Sequence, residues 1–163
     1  MYRLTKGGTA MGYGYTYKCK KCGHEYSVSS GIGMLYPNIC EEELEKIKAG
    51  KYGEDWKQAS IDCGSDLKIG VIDKTYMCYD CNSWEEQTDI TLYKPKEDRD
   101  AKRKDAFYYM PGDKGYSAYK KTVHDCSKCG KKMKELKEKN LTFLPCPECG
   151  QLNEQEADLI MWD

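Results

Sequence analysis

Between Tyr13 and Tyr17 the chain alternates with a period of two, Tyr13, Tyr15 and Tyr17 being separated by Gly14 and Thr16. That spacing places three rings on one face of a strand running into Cys19, and predicts Glu25–Ser29 as the returning strand. The period then changes. Cys40, Leu44 and Ile47 fall at i, i+4 and i+7, the apolar stripe of a helix. Asn38 is the expected N-cap, Glu41 completes a variant of the capping box, and Gly50 is the expected stop. A second short helix is predicted over Glu54–Ser60, with Trp56 packing inward. Ile69–Met77 reads as a strand delivering Cys78, and Trp84–Tyr93 as its return partner, with Ile90 and Leu92 on one face. Gly7–Gly12 is glycine-rich and expected to be irregular. Lys94–Lys104 is charged and nearly free of apolar residues. It reads as a linker, followed by an aromatic stretch, Phe107–Pro111, expected to dock on a neighbouring domain.

Composition sharpens the problem. Leu, Ile, Val and Phe make up only 23 of the 163 residues. So low a share is typical of disordered chains, but those usually carry high net charge. Here 26 basic and 27 acidic side chains leave a net charge of −1. Something other than a large aliphatic core must help fold this chain. Fourteen tyrosines and three tryptophans supply buried area. Ten cysteines supply the rest. The stretch from Met1 to Lys6 has no apolar segment of the secretory kind, and no apolar run approaches the ~20 residues of a membrane span. The expectation is a cytoplasmic protein whose thiols stay reduced and bind metal rather than form disulfides.

Eight cysteines form Cys-x-x-Cys pairs: Cys19/Cys22, Cys78/Cys81, Cys126/Cys129 and Cys146/Cys149. A two-residue gap lets both thiolates of a tight turn face one ion, and a tetrahedral Zn²⁺ needs four, so two turns per ion and two ions per chain are expected. Gly23, Gly130 and Gly150 follow the second cysteine where the turn closes with positive φ; Asn82, the next best residue there, follows Cys81. Four turns allow three pairings. The expected one is local. Cys126, Cys129, Cys146 and Cys149 would share one ion, leaving Cys19, Cys22, Cys78 and Cys81 for the other; the alternative weighed is a cross-brace joining 19/22 with 126/129 and 78/81 with 146/149. Cys40 is expected in the helix core as a small hydrophobe, Cys63 as a loop thiol, and His24 and His124 as imidazoles beside the turns rather than ligands.

These turns resemble those of zinc ribbons. Cys126 to Trp162 is similar to one: a Cys hairpin, a strand through Met133 and Leu136, a second hairpin at Cys146, and a closing strand Leu159–Trp162. More widely, the Gly12-Tyr13-Gly14-Tyr15 start, the Gly50-Lys51-Tyr52-Gly53 turn and the Met161-Trp162-Asp163 end resemble a bacterial set of double zinc-ribbon proteins, a likeness that implies no particular activity. The fold implied is a small metal-bound α+β protein with two zinc ribbons built from antiparallel hairpins and short sheets. The first would span 1–94 with a helical insertion at about 37–68, the linker 95–121, and the second ribbon 122–163. Tyr17–Tyr26 and Pro145–Gly150 also resemble rubredoxin turns, and rubredoxins carry electrons on one iron held by four cysteines. Iron is therefore the alternative to zinc, although the local pairing would put those two turns in different sites.

Three functions compete. Near-neutral charge and abundant aromatics suggest a non-catalytic, protein-binding adaptor with an unnamed protein partner. Tyr13, Tyr15 and Tyr17 beside Lys18, Lys20 and Lys21, together with Lys131 and Lys132 on a second basic hairpin, suggest contact with single-stranded RNA or DNA. The acidic side of neutrality, a sequence pI near 6.2, argues against that. No nucleophile–base constellation or phosphate loop suggests an enzyme or a small-molecule substrate, and closed four-thiolate sites leave no open metal position.

Overall fold

The computed structural model describes residues 12–100, 106–152 and 158–162. The stretch Gly7–Met11 and part of the expected linker lie outside the described residues. Among the described residues are seven strands and two α-helices: β1 (Gly12–Lys18), β2 (Glu25–Ser30), α1 (Tyr36–Lys48), α2 (Glu54–Asp62), β3 (Lys68–Cys78), β4 (Ser83–Pro95), β5 (Tyr116–Lys121), β6 (Lys134–Glu135) and β7 (Asp158–Trp162), with a 3-10 helix at Glu138–Phe143. The strands form two antiparallel sheets, in the orders β2-β1-β7 and β5-β4-β3-β6. The result is a small α+β fold.

The chain divides into two compact units, and neither is continuous in sequence. One comprises residues 1–33, 73–87 and 124–163; the other comprises 34–72 and 88–123. The boundary expected near 94 falls inside the second unit, whereas the one expected at 122 lies beside the division at Val123/His124. The reason is that β3 and β4 each run through both units: the chain enters the second unit after β2, leaves it part-way along β3, and returns to it part-way along β4.

In the first unit β1 and β2 pair in the expected hairpin, with Tyr17 opposite Tyr26. The closing strand departs from expectation. β7 does not complete a C-terminal ribbon but pairs with β1, Tyr15 opposite Leu159 and Tyr13 opposite Met161. β6 pairs with the end of β3, Tyr76 opposite Glu135 and Met77 opposite Lys134. Two small cores result. Tyr17, Tyr26, Val28, Leu144, Cys19 and Cys146 form one, with Trp84 packed against it. Tyr76, Met133, Cys78 and Cys126 form the other. Half of the second core is cysteine, which is how a chain poor in aliphatics builds an interior.

In the second unit α1 starts at Tyr36 rather than at Asn38, and no side chain caps it. Proline is preorganised for the first helical turn, where its missing N–H goes unused, so Pro37 belongs inside the helix. Tyr36 then extends the stripe backwards, and Tyr36, Cys40, Leu44 and Ile47 are all buried. The Tyr36 hydroxyl donates to the Tyr109 carbonyl at 2.7 Å. Trp56 is half-buried, with Lys120 Nζ 5.3 Å from its ring. Cys63 is not a loop thiol: it caps the end of α2 and is buried. The aromatic stretch docks as expected. The Ile69 N–H donates to Phe107 O and the Tyr109 N–H to Ile69 O, and the Tyr93 and Tyr109 rings stack 3.8 Å apart. The linker expectation fails at β5, which pairs with β4. As an outer strand β5 buries only Tyr116, so it shows none of the alternation that marks a half-buried strand.

Burial raises the Tyr17 and Tyr36 phenols above the ordinary 10.0. Their folded forms hold protons that the unfolded chain releases, so stability is intact below pH 10 and falls as pH rises above it. An alkaline titration followed by tyrosinate absorbance and circular dichroism should show these two phenols ionising only as the fold is lost.

Candidate metal centres

Each Cys-x-x-Cys turn is shaped by its backbone. The N–H of Gly23 donates to Cys19 O, that of Gly130 to Cys126 O and that of Gly150 to Cys146 O, at 2.8, 2.8 and 2.9 Å. Closing the turn so tightly puts the next residue in the left-handed region: φ is 74° at Gly23, 71° at Gly130, 70° at Gly150 and 56° at Asn82. A side chain other than Asn or Asp is costly there.

The turns assemble into two groups of four thiols, Cys19/Cys22/Cys146/Cys149 and Cys78/Cys81/Cys126/Cys129, the sulfurs within each lying within 4.8 Å of one another. This is neither the local pairing nor the cross-brace. It is a nested arrangement in which the outermost turns share one centre and the inner turns the other. The pairing follows the sheets. β7 returns to β1, the Tyr17 hydroxyl donates to Leu141 O at 2.6 Å, and Tyr26 donates to Leu144 O at 3.1 Å. Trp84 Nε1 donates to Pro145 O at 2.7 Å. Together they hold the Cys146 turn against the first hairpin. β6 on β3 brings the Cys126 turn to Cys78. Loop closure costs about 0.6 kcal/mol per doubling of length, so the roughly three doublings between a local and a nested partner cost about 2 kcal/mol. Several buried hydrogen bonds and an aromatic cluster outweigh that.

The distances fit a tetrahedral ion. Cys19–Cys149 and Cys22–Cys146 sulfurs are 3.6 and 3.7 Å apart, and Cys81–Cys126 and Cys78–Cys129 sulfurs 3.6 and 3.4 Å. Four sulfurs at about 2.3 Å from one ion lie about 3.8 Å apart, whereas a disulfide would bring two to about 2.05 Å. None of the ten cysteines is joined in a disulfide. Either group could hold a metal ion.

Electrostatics points the same way. Four adjacent thiols cannot all ionise without a counter-charge. The backbone N–H of Lys131 favours the Cys129 thiolate, but the thiols of Cys78, Cys81 and Cys126, with burial, prevail and push it up to about 12. Cys22 behaves alike: the His24 N–H favours its thiolate, yet burial and the three neighbouring thiols push it up to about 12. Cys126 is lowered to about 6, first by its hydrogen bond with Ser83. A divalent cation would relieve this crowding, and acid would compete with it for the sulfurs.

The other expected contact residues fare differently. Tyr17 is 1% exposed, with its hydroxyl bonded inside the core. Tyr15 packs against the same core and Tyr13 is half-buried. Lys18, Lys20, Lys21, Lys131 and Lys132 are exposed. Lys18 pairs with Glu25 at 3.1 Å and Lys132 with Asp125 at 2.6 Å. His24 stacks on Tyr26 and His124 lies edge-on to Tyr76, and neither joins a thiol group. Cys40 is fully buried on α1. Sequence reasoning missed Ser83, which lies within hydrogen-bond reach of two sulfurs of the second centre. Among the described residues no helix is long and apolar enough to cross a membrane. No family model, curated protein or solved structure compared with the chain matches it.

Proposed function

We propose that the protein is a non-catalytic zinc-binding interaction protein, a protein-binding adaptor whose two four-cysteine centres are structural. The observation that carries this reading is the closure of both groups: four thiols each, spaced like the corners of a tetrahedron about one ion, with cysteines of both groups built into the two small cores. A closed site suits structural zinc, whereas a catalytic one keeps a position open. A protein partner is favoured over nucleic acid because Tyr17 of β1 is buried in the core and Tyr15 packs against it, while Leu159, Ile160 and Met161 of the outer strand β7 are exposed. Large apolar side chains left in solvent suit protein contacts better than phosphate contacts.

A second reading is favoured at the Cys19/Cys22/Cys146/Cys149 centre. The two rubredoxin-like turns, expected in different sites, meet there, and four thiolates suit iron as well as zinc. An iron electron carrier at this one centre is the alternative.

Elemental analysis and electrophoretic binding separate these readings. Colourless protein with about two zinc ions per chain, and no shift of single-stranded RNA or DNA even at low salt, is the expected result. Red protein containing iron would support the electron carrier, and a shift that weakens steeply with salt would replace the adaptor by a nucleic-acid binder.

A further inference from the structure

The four Cys-x-x-Cys turns also differ beyond the Gly or Asn that closes them. Two residues beyond the second cysteine stand His24, Ser83, Lys131 and Gln151. In three turns this residue gives its carbonyl to the N–H of the first cysteine, as His24 does to Cys19, Lys131 to Cys126 and Gln151 to Cys146. In the fourth turn Ser83 opens β4, and its hydroxyl lies 3.0 Å from Cys81 Sγ and 3.5 Å from Cys126 Sγ. Ser83 is 8% exposed, so its hydroxyl is turned to the sulfurs rather than to solvent.

Resting on the reading of these groups as metal centres, we infer that the Ser83 hydroxyl is a positioning group for the Cys78/Cys81/Cys126/Cys129 centre alone, bridging ligands from two different turns and slowing loss of their ion. The chemistry is direct. A metal-bound thiolate carries no proton but keeps much of its negative charge. An O–H donated to it draws on that charge, so the sulfur is a poorer target for a proton or an electrophile. The hydroxyl has one proton for two acceptors, and the shorter contact gives it chiefly to Cys81. Cys81 is exposed, as is Cys129, so incoming protons, chelators and alkylating agents reach this centre through such ligands. The longer contact, to Cys126, reaches from the Cys78–Cys81 turn to the Cys126–Cys129 turn. Removing outer partners of metal ligands typically costs about 10–100-fold in affinity.

The test compares the native metal-loaded protein with S83A and S83T. A chelator is added with a metal-sensitive dye, and alkylated cysteines are mapped by mass spectrometry. S83A should still bind two ions but release one of them roughly 10–100-fold faster. Cys81 and Cys126 should become alkylated with that release, while protection of Cys19, Cys22, Cys146 and Cys149 stays as in the parent. S83T, which keeps the hydroxyl, should release near the parent rate. Release from S83A that is no faster, acceleration of both ions alike, or S83T as labile as S83A would each overturn the inference. Parent protein purified without metal would sink the metal reading itself, a result readily told apart from these.

Discussion

Replacing Cys146 by serine should empty the centre it shares with Cys22, 124 residues away, and leave the Cys126/Cys129 turn, far nearer in sequence, loaded. Serine keeps the shape of the side chain but offers a hard, protonated oxygen to an ion that prefers thiolate. Bound metal should fall from two ions to one. Cys19, Cys22 and Cys149 should then react with an alkylating agent, while Cys78, Cys81, Cys126 and Cys129 stay protected. A local ribbon would give the opposite map, exposing Cys126 and Cys129. Stability should drop by several kcal/mol, because a structural zinc contributes an apparent ~10–16 kcal/mol in small peptides and part of that is lost with the ion. The damage should concentrate on β1, β2 and β7, since Cys19 and Cys146 belong to the core on which Tyr17, Tyr26 and Leu144 pack.

Removing both ions with a strong chelator at neutral pH should have the larger effect. Without a cation the crowded thiols must take up protons, and the two cores containing Cys19, Cys146, Cys78 and Cys126 lose their organising contacts. Hydrogen exchange should show amides of β1 and β2 losing protection first. The helical circular dichroism of α1 should persist longer, because its buried face is Tyr36, Cys40, Leu44 and Ile47 and includes none of the eight clustered thiols. Acid should mimic the chelator, as ligand thiolates are protonated. Equal loss of protection in β1 and α1 would show that the metal centres organise the whole chain instead.

Much of the local structure was legible in the residues. Period-two tyrosines marked β1, period-3.6 apolar residues marked α1, and glycine or asparagine after each second cysteine marked the turns. These signals work because each is fixed by near neighbours. What the sequence concealed was long-range. β7 reads as a strand, but nothing local says that it pairs with β1 rather than with the hairpin before it. Pairing of the turns depends on that choice, so the nested arrangement was hidden with it. β5 was hidden for another reason: an outer strand burying only Tyr116 carries almost no pattern. Tyr17 misled because a ring beside lysines reads equally as a stacking platform or as core, and only the partner of its hydroxyl, Leu141, decides. Ser83 was silent because its chemistry appears only when two turns 45 residues apart come together.

Eight sulfurs are expected to hold two cations in place of an aliphatic interior. Native mass spectrometry of the freshly purified, folded chain tests it most directly. The mass should exceed that of the reduced polypeptide by two metal ions, less the protons displaced from the thiols. A folded chain with the mass of the polypeptide alone, or one lighter by the hydrogens lost to disulfides, would contradict it.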